Sequence, residues 1–408
     1  MRALDDVTAP VVGTSADGIA APTLAPEPPV AGAHADVPEV AVEPFRIGYR
    51  PQLDGVRGIA VLLVLIYHIG AVLWPDARFW LAPGGVLGLD VFFVLSGFLI
   101  TSLLLDEAER RGRVGLGGFA VRRLRRLLPA MVGLSAFLLA ISLAGKMYEP
   151  DAVLHSMPSV FTFTHNWAIA YGWDGSLGHL WSVAVEAQFY LVWAVAMALV
   201  VRHTRQPHVV LATLTATGIV AVLVGRSLAL SHDTPVLRLY MGTPWRFDGP
   251  LMGALVAVVA SAGWLPWFRG RTAVGLGVAG SALLAVGVVR CEMGDPFLYH
   301  GGLTLAALCA GAVVLAAVRT PASRLGRVLA LRPLVAAGLV SYSLYVWHLP
   351  LFEILVKNTG GWSPPLRAVV GLVLAVAAAV VSYRLVERPF LRRHRAAPQA
   401  APARTATP

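Results

Sequence analysis

Long apolar runs dominate the chain, and short polar segments rich in arginine separate them. Most of these runs reach the length of about 20 residues that a helix needs to cross a bilayer. Their continuity excludes a transmembrane barrel, which would show short strands of alternating hydrophobicity. The pattern therefore predicts an all-α membrane protein, a bundle of about ten transmembrane helices. The predicted spans are residues 57–74, 85–105, 127–145, 179–201, 208–231, 246–262, 272–290, 300–318, 334–356 and 366–386.

Some segments do not fit the span pattern. Residues 158–172 are apolar but short, which predicts a re-entrant or surface segment. Residues 1–44 are rich in Ala, Pro and Val and lack a signal-peptide core, so we expect a disordered, uncleaved cytoplasmic tail. Residues 391–408 predict a second, basic and Ala/Pro-rich cytoplasmic tail. The transmembrane domain is then expected at residues 45–390.

Basic residues are divided unequally between alternate loops. Arginine is concentrated before the first span, at 110–126, at 319–332 and after the last span. The loops on the opposite side hold only Arg78, Lys146, Arg238 and Lys357. Loops rich in Lys and Arg stay in the cytosol, so both termini are expected to be cytoplasmic. This asymmetry also favours an even number of spans and a multi-pass protein of the plasma membrane.

Composition agrees with a membrane protein. Apolar residues make up 57% of the 408-residue chain and charged residues 14%, whereas soluble proteins carry about 25% charged residues. Soluble, DNA-binding and fibrous classes are thereby excluded. The net charge of +10 is explained by loops that set orientation, without a nucleic-acid partner. Cys291 and Cys309 have neither metal-site nor disulfide spacing, so no metal is expected.

A few ionisable side chains lie inside the predicted spans, in the half of the membrane opposite the arginine-rich loops. Because burying such a group in lipid costs several kcal/mol, each is a candidate for function. Their similar depth predicts one shared cavity, although some could instead lie at the interface and reach water. The eight residues are His68, Asp90, His179, Glu186, Arg226, Arg246, Asp248 and His348.

Arg57 and His68 lie on one stripe of the first predicted helix. Eleven steps of 100° return nearly to the same face, with a rise of about 16 Å. A phosphate-bearing donor could therefore be bound at Arg57 and present its reactive group at His68. The alternative is an arginine that sets topology and a histidine with a purely structural hydrogen bond.

Glu186 needs a partner or a proton inside the membrane, and His68 and Arg226 are the candidates at its depth. A His–carboxylate pair would hold one imidazole tautomer, as a general base for a hydroxyl requires. Ser96 lacks a Gly-x-Ser-x-Gly elbow, so a serine hydrolase is not favoured. Ser96 and Gly97 are more typical of close helix packing.

Four arginines precede Pro129 on the cytosolic side. Guanidinium groups bind phosphates in a bidentate fork, which suits a nucleotide donor. Juxtamembrane arginines also bind lipid headgroups, so composition alone leaves both donor binding and lipid binding possible. The four are Arg122, Arg123, Arg125 and Arg126.

Together these residues resemble the motifs of acyltransferase family 3, the bacterial multi-pass membrane O-acyltransferases. The resemblance covers most of residues 50–390, and six motifs in the same order make it specific. They are Gln52–Gly58 with His68 after a further ten residues, Gly88–Thr101, Arg122–Pro129, His179–Tyr190, Ser341–His348 and Val386–Pro389.

The resemblance implies a ten-span domain that moves an acyl group from cytosolic acyl-CoA to a hydroxyl group. It makes Arg57 and His68 the essential pair, and it assigns the donor's phosphates to the four arginines. We expect Glu186 to orient His68, with acetyl-CoA as the default donor. The expected acceptor cavity is lined by Asp90, Arg226, Arg246, Asp248 and His348.

The acceptor is expected to be a cell-surface carbohydrate or glycolipid, with a macrolide-type antibiotic or other secondary metabolite as the alternative. Many family members have a second Glu where this chain has Ala187, which bears on the pairing around Glu186. Some members carry an extracytoplasmic hydrolase-like domain, which residues after 390 are too few to encode. The protein is therefore expected to complete transfer itself or to use a separate extracytoplasmic partner.

Two other classes of protein are alternatives to a membrane acyltransferase. A transporter or flippase of a lipid-linked sugar would need inverted repeats and broken helices, and no convincing internal repeat is visible. An inactive sensor or scaffold is disfavoured because Arg57, His68 and Glu186 occur together.

Overall fold

The computed structural model describes residues 48–77, 81–145, 148–173 and 176–392, and every element in these ranges is helical. Arg78, Lys146 and almost all of the expected tails at 1–44 and 391–408 lie outside the described residues. The helices are α1 (Pro51–His68), α2 (Leu87–Arg111), α3 (Leu116–Leu143), α4 (Pro150–Phe161), α5 (His165–Ala170), α6 (Trp181–His203), α7 (Pro207–Ser231), α8 (Val236–Met241), α9 (Asp248–Ser261), α10 (Gly270–Arg290), α11 (Leu303–Arg319), α12 (Arg324–Leu329), α13 (Arg332–Leu339), α14 (Ser341–Asn358), α15 (Pro364–Val381) and α16 (Arg388–Arg392).

Each of the ten expected spans corresponds to a helix, but not all are complete spans. Eight helices in the described ranges are long and apolar enough to cross a membrane. A ninth candidate is the pair α13 and α14, bent by 72°. The expected span 246–262 is α9, whose 14 residues extend about 21 Å. Because a bilayer core is about 30 Å thick, the described residues give eight spans, or nine with the bent pair.

Short as it is, α9 is buried along α2, where glycines allow the two backbones to touch. A Cβ on Gly97 would lie 1.9 Å from the Pro250 carbonyl oxygen, and one on Gly253 would lie 1.9 Å from that of Val94. Small residues permit such close helix packing in membranes. The α2–α9 contact thus places Asp90 and Asp248 in the interior.

The bend between α13 and α14 brings α14 beside the end of α1. α13 packs on the first half of α1, where a Cβ on Gly338 would lie 1.8 Å from the Asp54 carbonyl oxygen. The chain then turns, and α14 follows the second half of α1, with Leu344 and Leu65 in one apolar cluster. His348 on α14 is thereby brought next to His68, the last residue of α1.

The short apolar segment expected to be re-entrant or superficial forms the helical hairpin α4–α5. The side chain of Gln188 on α6 donates hydrogen bonds to the Phe163 carbonyl at 2.6 Å and to Asn166 Oδ1 at 2.9 Å. Gln188 lies seven residues, or about 10 Å, from the start of α6 at Trp181. The tip of the hairpin therefore lies alongside the middle of a span rather than at its end, as a re-entrant segment would.

Candidate active site

Two cavities meet inside the bundle. Both are lined by Leu89 and Tyr345, which therefore stand where one cavity ends and the other begins. The first, which we call the arginine cavity, is lined by Arg57, Arg126, Glu186, Ser96 and Tyr342 among others. The second, the histidine cavity, has a volume of about 210 Å³ and is lined by His68, His179, Tyr67, Trp181 and Tyr240 among others.

Three imidazoles, which we call the histidine cluster, gather beside the histidine cavity. The ring centroids of His68 and His348 are 4.9 Å apart, and those of His179 and His348 are 5.9 Å apart. α1 supplies His68, the bent pair supplies His348, and a tight helical turn before α6 supplies His179. Three separate elements thus bring imidazoles to one place, and two of the three, His68 and His179, line the same cavity.

Backbone carbonyls identify which ring nitrogen of each histidine carries a proton. A carbonyl oxygen only accepts, so the nitrogen bonded to it must donate. His68 Nδ1 lies 2.8 Å from the Val64 oxygen, His179 Nε2 lies 2.9 Å from that of Val346, and His348 Nδ1 lies 2.7 Å from that of Tyr345. Each neutral ring therefore keeps a lone pair on its other nitrogen. For His68 this is Nε2, which makes no hydrogen bond to any described residue.

Glu186 lies in the arginine cavity and is not paired with His68. Its carboxylate accepts hydrogen bonds from Ser96 and Tyr190. The expectation of a Glu186–His68 or Glu186–Arg226 pair is therefore replaced by these two hydroxyl partners. His179, seven residues earlier in the chain, is the residue of this segment that lies in the histidine cluster. Seven helical residues separate Glu186 from it by about 10 Å along the helix axis.

The guanidinium of Arg57 lies in the same cavity as Glu186, and the expected stripe on α1 is present. Among residues 48–77, 81–145, 148–173 and 176–392, no carboxylate is ion-paired with Arg57 or with Arg126. Both arginines line the cavity. An arginine that forms no ion pair with a described carboxylate is suited to bind a phosphate-bearing ligand.

The four arginines of α3 differ in where they lie. Arg126 lines the arginine cavity, and the Arg123 guanidinium lies 5.5 Å from the centroid of the Tyr190 ring. Arg122 is exposed and forms a 3.3 Å ion pair with Glu107, and Arg125 is exposed. Of the four, only Arg126 lines the arginine cavity. Arg123 is half-buried and lines a separate apolar cavity with Phe119 and Tyr190, and Arg122 and Arg125 lie on the surface.

Four residues expected to line the acceptor cavity form two buried ion pairs instead. Arg246 bonds to Asp90 at 3.0 Å, and Arg226 bonds to Asp248 at 2.9 Å. All four are at most 1% exposed and none lines either cavity. Of the five expected acceptor residues, only His348 is placed in the histidine cluster.

The Arg226–Asp248 pair is also saturated with hydrogen bonds. Arg226 donates to Thr304 Oγ1 at 2.7 Å and to the Trp245 carbonyl at 2.7 Å. Thr304 in turn donates to Asp248 at 2.6 Å. Such a network ties α7, α9 and α11 together and offers no free group to a ligand.

The Arg246–Asp90 pair has an indirect relation to the histidine cavity. The Arg246 guanidinium lies 4.9 Å from the centroid of Tyr240 and 5.9 Å from that of Trp181. Both aromatic rings line the histidine cavity. Arg246 therefore supports the aromatic wall from behind by cation–π contact.

Glu387 is a further candidate site residue, one that its depth in the sequence did not indicate. Its carboxylate is 4% exposed, accepts hydrogen bonds from Ser343 and Ser382, and interacts electrostatically with Arg126. It lies in a π-helical turn, Ser382–Glu387, which often marks a functional position. The sequence feature that could have indicated it is an acidic residue at the end of the last predicted span, directly before Arg388.

Comparison with known proteins adds to this geometry. A family model described as an acyltransferase domain matches residues 50–384. The O-acetyltransferase OatA of Staphylococcus aureus is 30% identical over 366 residues, which cover 85% of this chain and 58% of that protein. The peptidoglycan O-acetyltransferase OatA of Listeria monocytogenes is 29% identical over 359 residues, 84% of this chain and 56% of that protein. The chain thus spans somewhat more than half the length of these relatives. No solved structure matches it.

Proposed function

The chain belongs to acyltransferase family 3, and from this membership we propose that it transfers an acetyl group from acetyl-CoA to a hydroxyl group of a cell-wall carbohydrate. One observation supports the proposal above the others: His68, whose Nε2 makes no hydrogen bond to a described residue, lines a cavity that adjoins a second cavity lined by Arg57 and Arg126. Neither arginine is ion-paired with a described carboxylate. Relatives named as peptidoglycan O-acetyltransferases support the acceptor class.

We place the protein in the plasma membrane with both termini in the cytosol. The arginine-rich loops support this orientation because positive loops stay inside. The transmembrane domain then occupies residues 45–390, with cytoplasmic tails at 1–44 and 391–408. In this orientation the arginine cavity is on the cytosolic side and the histidine cavity on the outer side.

Acetyl-CoA enters from the cytosol in this scheme. Arg57, Arg126 and Arg123 bind its phosphates, while Arg122 and Arg125 attract the anionic donor to the entrance. The pantetheine arm then extends along α1 toward His68, over the rise of about 16 Å between Arg57 and His68. Glu186, held by Ser96 and Tyr190, balances the positive charge of this cavity.

His68 acts as the general base at the end of the arm. Its Nε2 removes the proton from the acceptor hydroxyl as the oxygen forms a bond to the thioester carbonyl carbon. The carbon–sulfur bond breaks, and the departing CoA thiolate takes the proton from the imidazolium. Alternatively, Nε2 forms a bond to the thioester carbonyl carbon and CoA leaves as the thiolate; the acceptor oxygen then takes the acetyl group from Nε2, and the hydroxyl proton passes to the thiolate.

The histidine cavity receives the acceptor. Its aromatic lining, which includes Tyr67, Trp181 and Tyr240, suits the apolar face of a pyranose ring. The acceptor hydroxyl belongs either to the carbohydrate itself or to a separate extracytoplasmic partner that carries the acetyl group onward.

Purified protein in lipid nanodiscs, given radiolabelled acetyl-CoA and a soluble peptidoglycan fragment, tests the proposal. We expect release of CoA together with label on the fragment, and the loss of both in His68→Ala. If the wild type transfers no label and releases no CoA, the acyltransferase proposal is wrong. If CoA is released but the fragment carries no label, the carbohydrate acceptor is wrong.

A further inference from the structure

On the basis of the proposed function, we infer that His348 is a positioning residue for His68: its Nε2 accepts a hydrogen bond from His68 Nδ1–H and so keeps His68 Nε2 directed at the acceptor. The two nitrogens lie 3.3 Å apart. His348 is 0% exposed and lines neither cavity, so it is placed to act on the reaction through His68 and not by contact with a ligand.

Hydrogen bonds to backbone carbonyls and contacts with two aromatic rings fix the orientation of the His348 ring. Its Nδ1 lies 2.7 Å from the Tyr345 carbonyl and 3.2 Å from that of Leu344, so Nδ1 carries the proton and Nε2 the lone pair. Phe352 packs edge-on against the ring at 5.7 Å, and Tyr345 lies at the same centroid distance. A ring held in this way presents a permanently oriented acceptor to His68.

His68 needs such an acceptor when it becomes charged. The Val64 carbonyl also accepts Nδ1–H, at 2.8 Å, but in an α-helix that carbonyl is already engaged with the backbone N–H four residues on. No described carboxylate is within ion-pair distance of His68. A neutral imidazole therefore takes the part that a carboxylate plays in other catalytic triads, where it orients the ring and stabilises the imidazolium.

Two substitutions separate this role from a merely structural one. His348→Phe keeps a ring of similar shape for packing against Phe352 but removes the acceptor. His348→Gln keeps an acceptor oxygen that can reach His68 Nδ1. His208→Phe, at the start of α7 and outside both cavities, is the matched control. Each full-length variant is assayed in nanodiscs with acetyl-CoA and the soluble peptidoglycan fragment, alongside its melting temperature.

We expect kcat to fall about tenfold to a hundredfold in His348→Phe, the effect of one hydrogen bond to a charged group, while KM for acetyl-CoA stays unchanged. His348→Gln should recover most of kcat, and His208→Phe should retain the wild-type value. Equal kcat in His348→Phe and the wild type would overturn the inference. So would equal losses in His348→Phe and His348→Gln at unchanged melting temperature, since the acceptor would then not be what matters.

Failure of the proposed function gives a different result. In that case the wild type releases no CoA, and the comparison of variants moves to the tautomer of His68, read from its ¹⁵N ring shifts in the labelled protein. His348→Phe should then still increase the population protonated at Nε2. An unchanged tautomer ratio would overturn the positioning role independently of catalysis.

Discussion

The Arg226–Asp248 ion pair beside α9 and the histidine cluster at the end of α1 both lie within the helix bundle, but they differ in what their polar atoms contact. In the first region Arg226, Asp248 and Thr304 bond to one another. In the second, His68 and His179 each keep one ring nitrogen unbonded by described residues and line a cavity. Burial alone marks a costly group; a free lone pair facing a cavity marks a group able to react.

The largest expected effect separates the two regions by activity. His68→Ala should lower turnover about 10²- to 10⁴-fold, the usual contribution of a general base, and should leave the melting temperature unchanged because His68 is only half-buried. Acetyl transfer in nanodiscs measures it, with His208→Ala as control. Turnover within tenfold of the wild type would remove His68 from the chemistry.

The next largest effect distinguishes the two regions by their contribution to the stability of the fold. Asp248→Ala should destabilise the fold by about 3–5 kcal/mol, because it leaves the Arg226 guanidinium buried without its anion. Thermal unfolding in detergent measures the loss, and Arg226→Met combined with Asp248→Leu should recover part of it. A drop in turnover per folded molecule with normal stability would instead show that this pair belongs to the site.

A third test compares cations within α3. Arg126→Gln should raise KM for acetyl-CoA about tenfold to a hundredfold, since a charge-assisted hydrogen bond to phosphate is lost. The exposed Arg125 offers the control, and Arg125→Gln should change KM by no more than about fivefold. Similar shifts in both variants would mean that the donor's phosphates bind at the surface of α3 and not in the arginine cavity.

The smallest effect concerns an exposed ion pair. Arg122→Gln breaks the 3.3 Å contact with Glu107 and should cost at most about 1 kcal/mol of stability, because water screens exposed pairs. The melting temperature measures this, with Arg111→Gln, which breaks another exposed contact to Glu107, as a matched variant. A loss of stability as large as that of Asp248→Ala would mean that solvent exposure does not predict how much an ion pair stabilises this protein.

Hydrophobic periodicity predicted much of the fold because each span must hide its own backbone from lipid. It placed a helix at every expected segment and aligned Arg57 with His68. It could not show that α9 has 14 residues or that the chain bends between α13 and α14. Those features depend on backbone contacts between distant segments, such as that of Gly338 with Asp54.

Candidate residues were identified by depth, and depth does not reveal partners. Counting along the chain placed Asp90, Arg246 and Asp248 near His68, but their rotation about the helix axes turns them toward one another. The same limit led to the expected pairing of Glu186 with His68. The free Nε2 of His68 could be recognised only once the Val64 and His348 contacts were known.

The boundary that Leu89 and Tyr345 form between the two cavities has an electrical consequence. Moving one elementary charge across a membrane at 100 mV involves about 2.3 kcal/mol of work. In the proposed orientation the charged phosphates of CoA stay on one side of that boundary and the carbohydrate on the other. The uncharged pantetheine arm brings the acetyl group across it, and the proton of the acceptor hydroxyl returns to the CoA thiol, so the exchange moves no net charge. The reaction can then run in an energised membrane without drawing on the membrane potential.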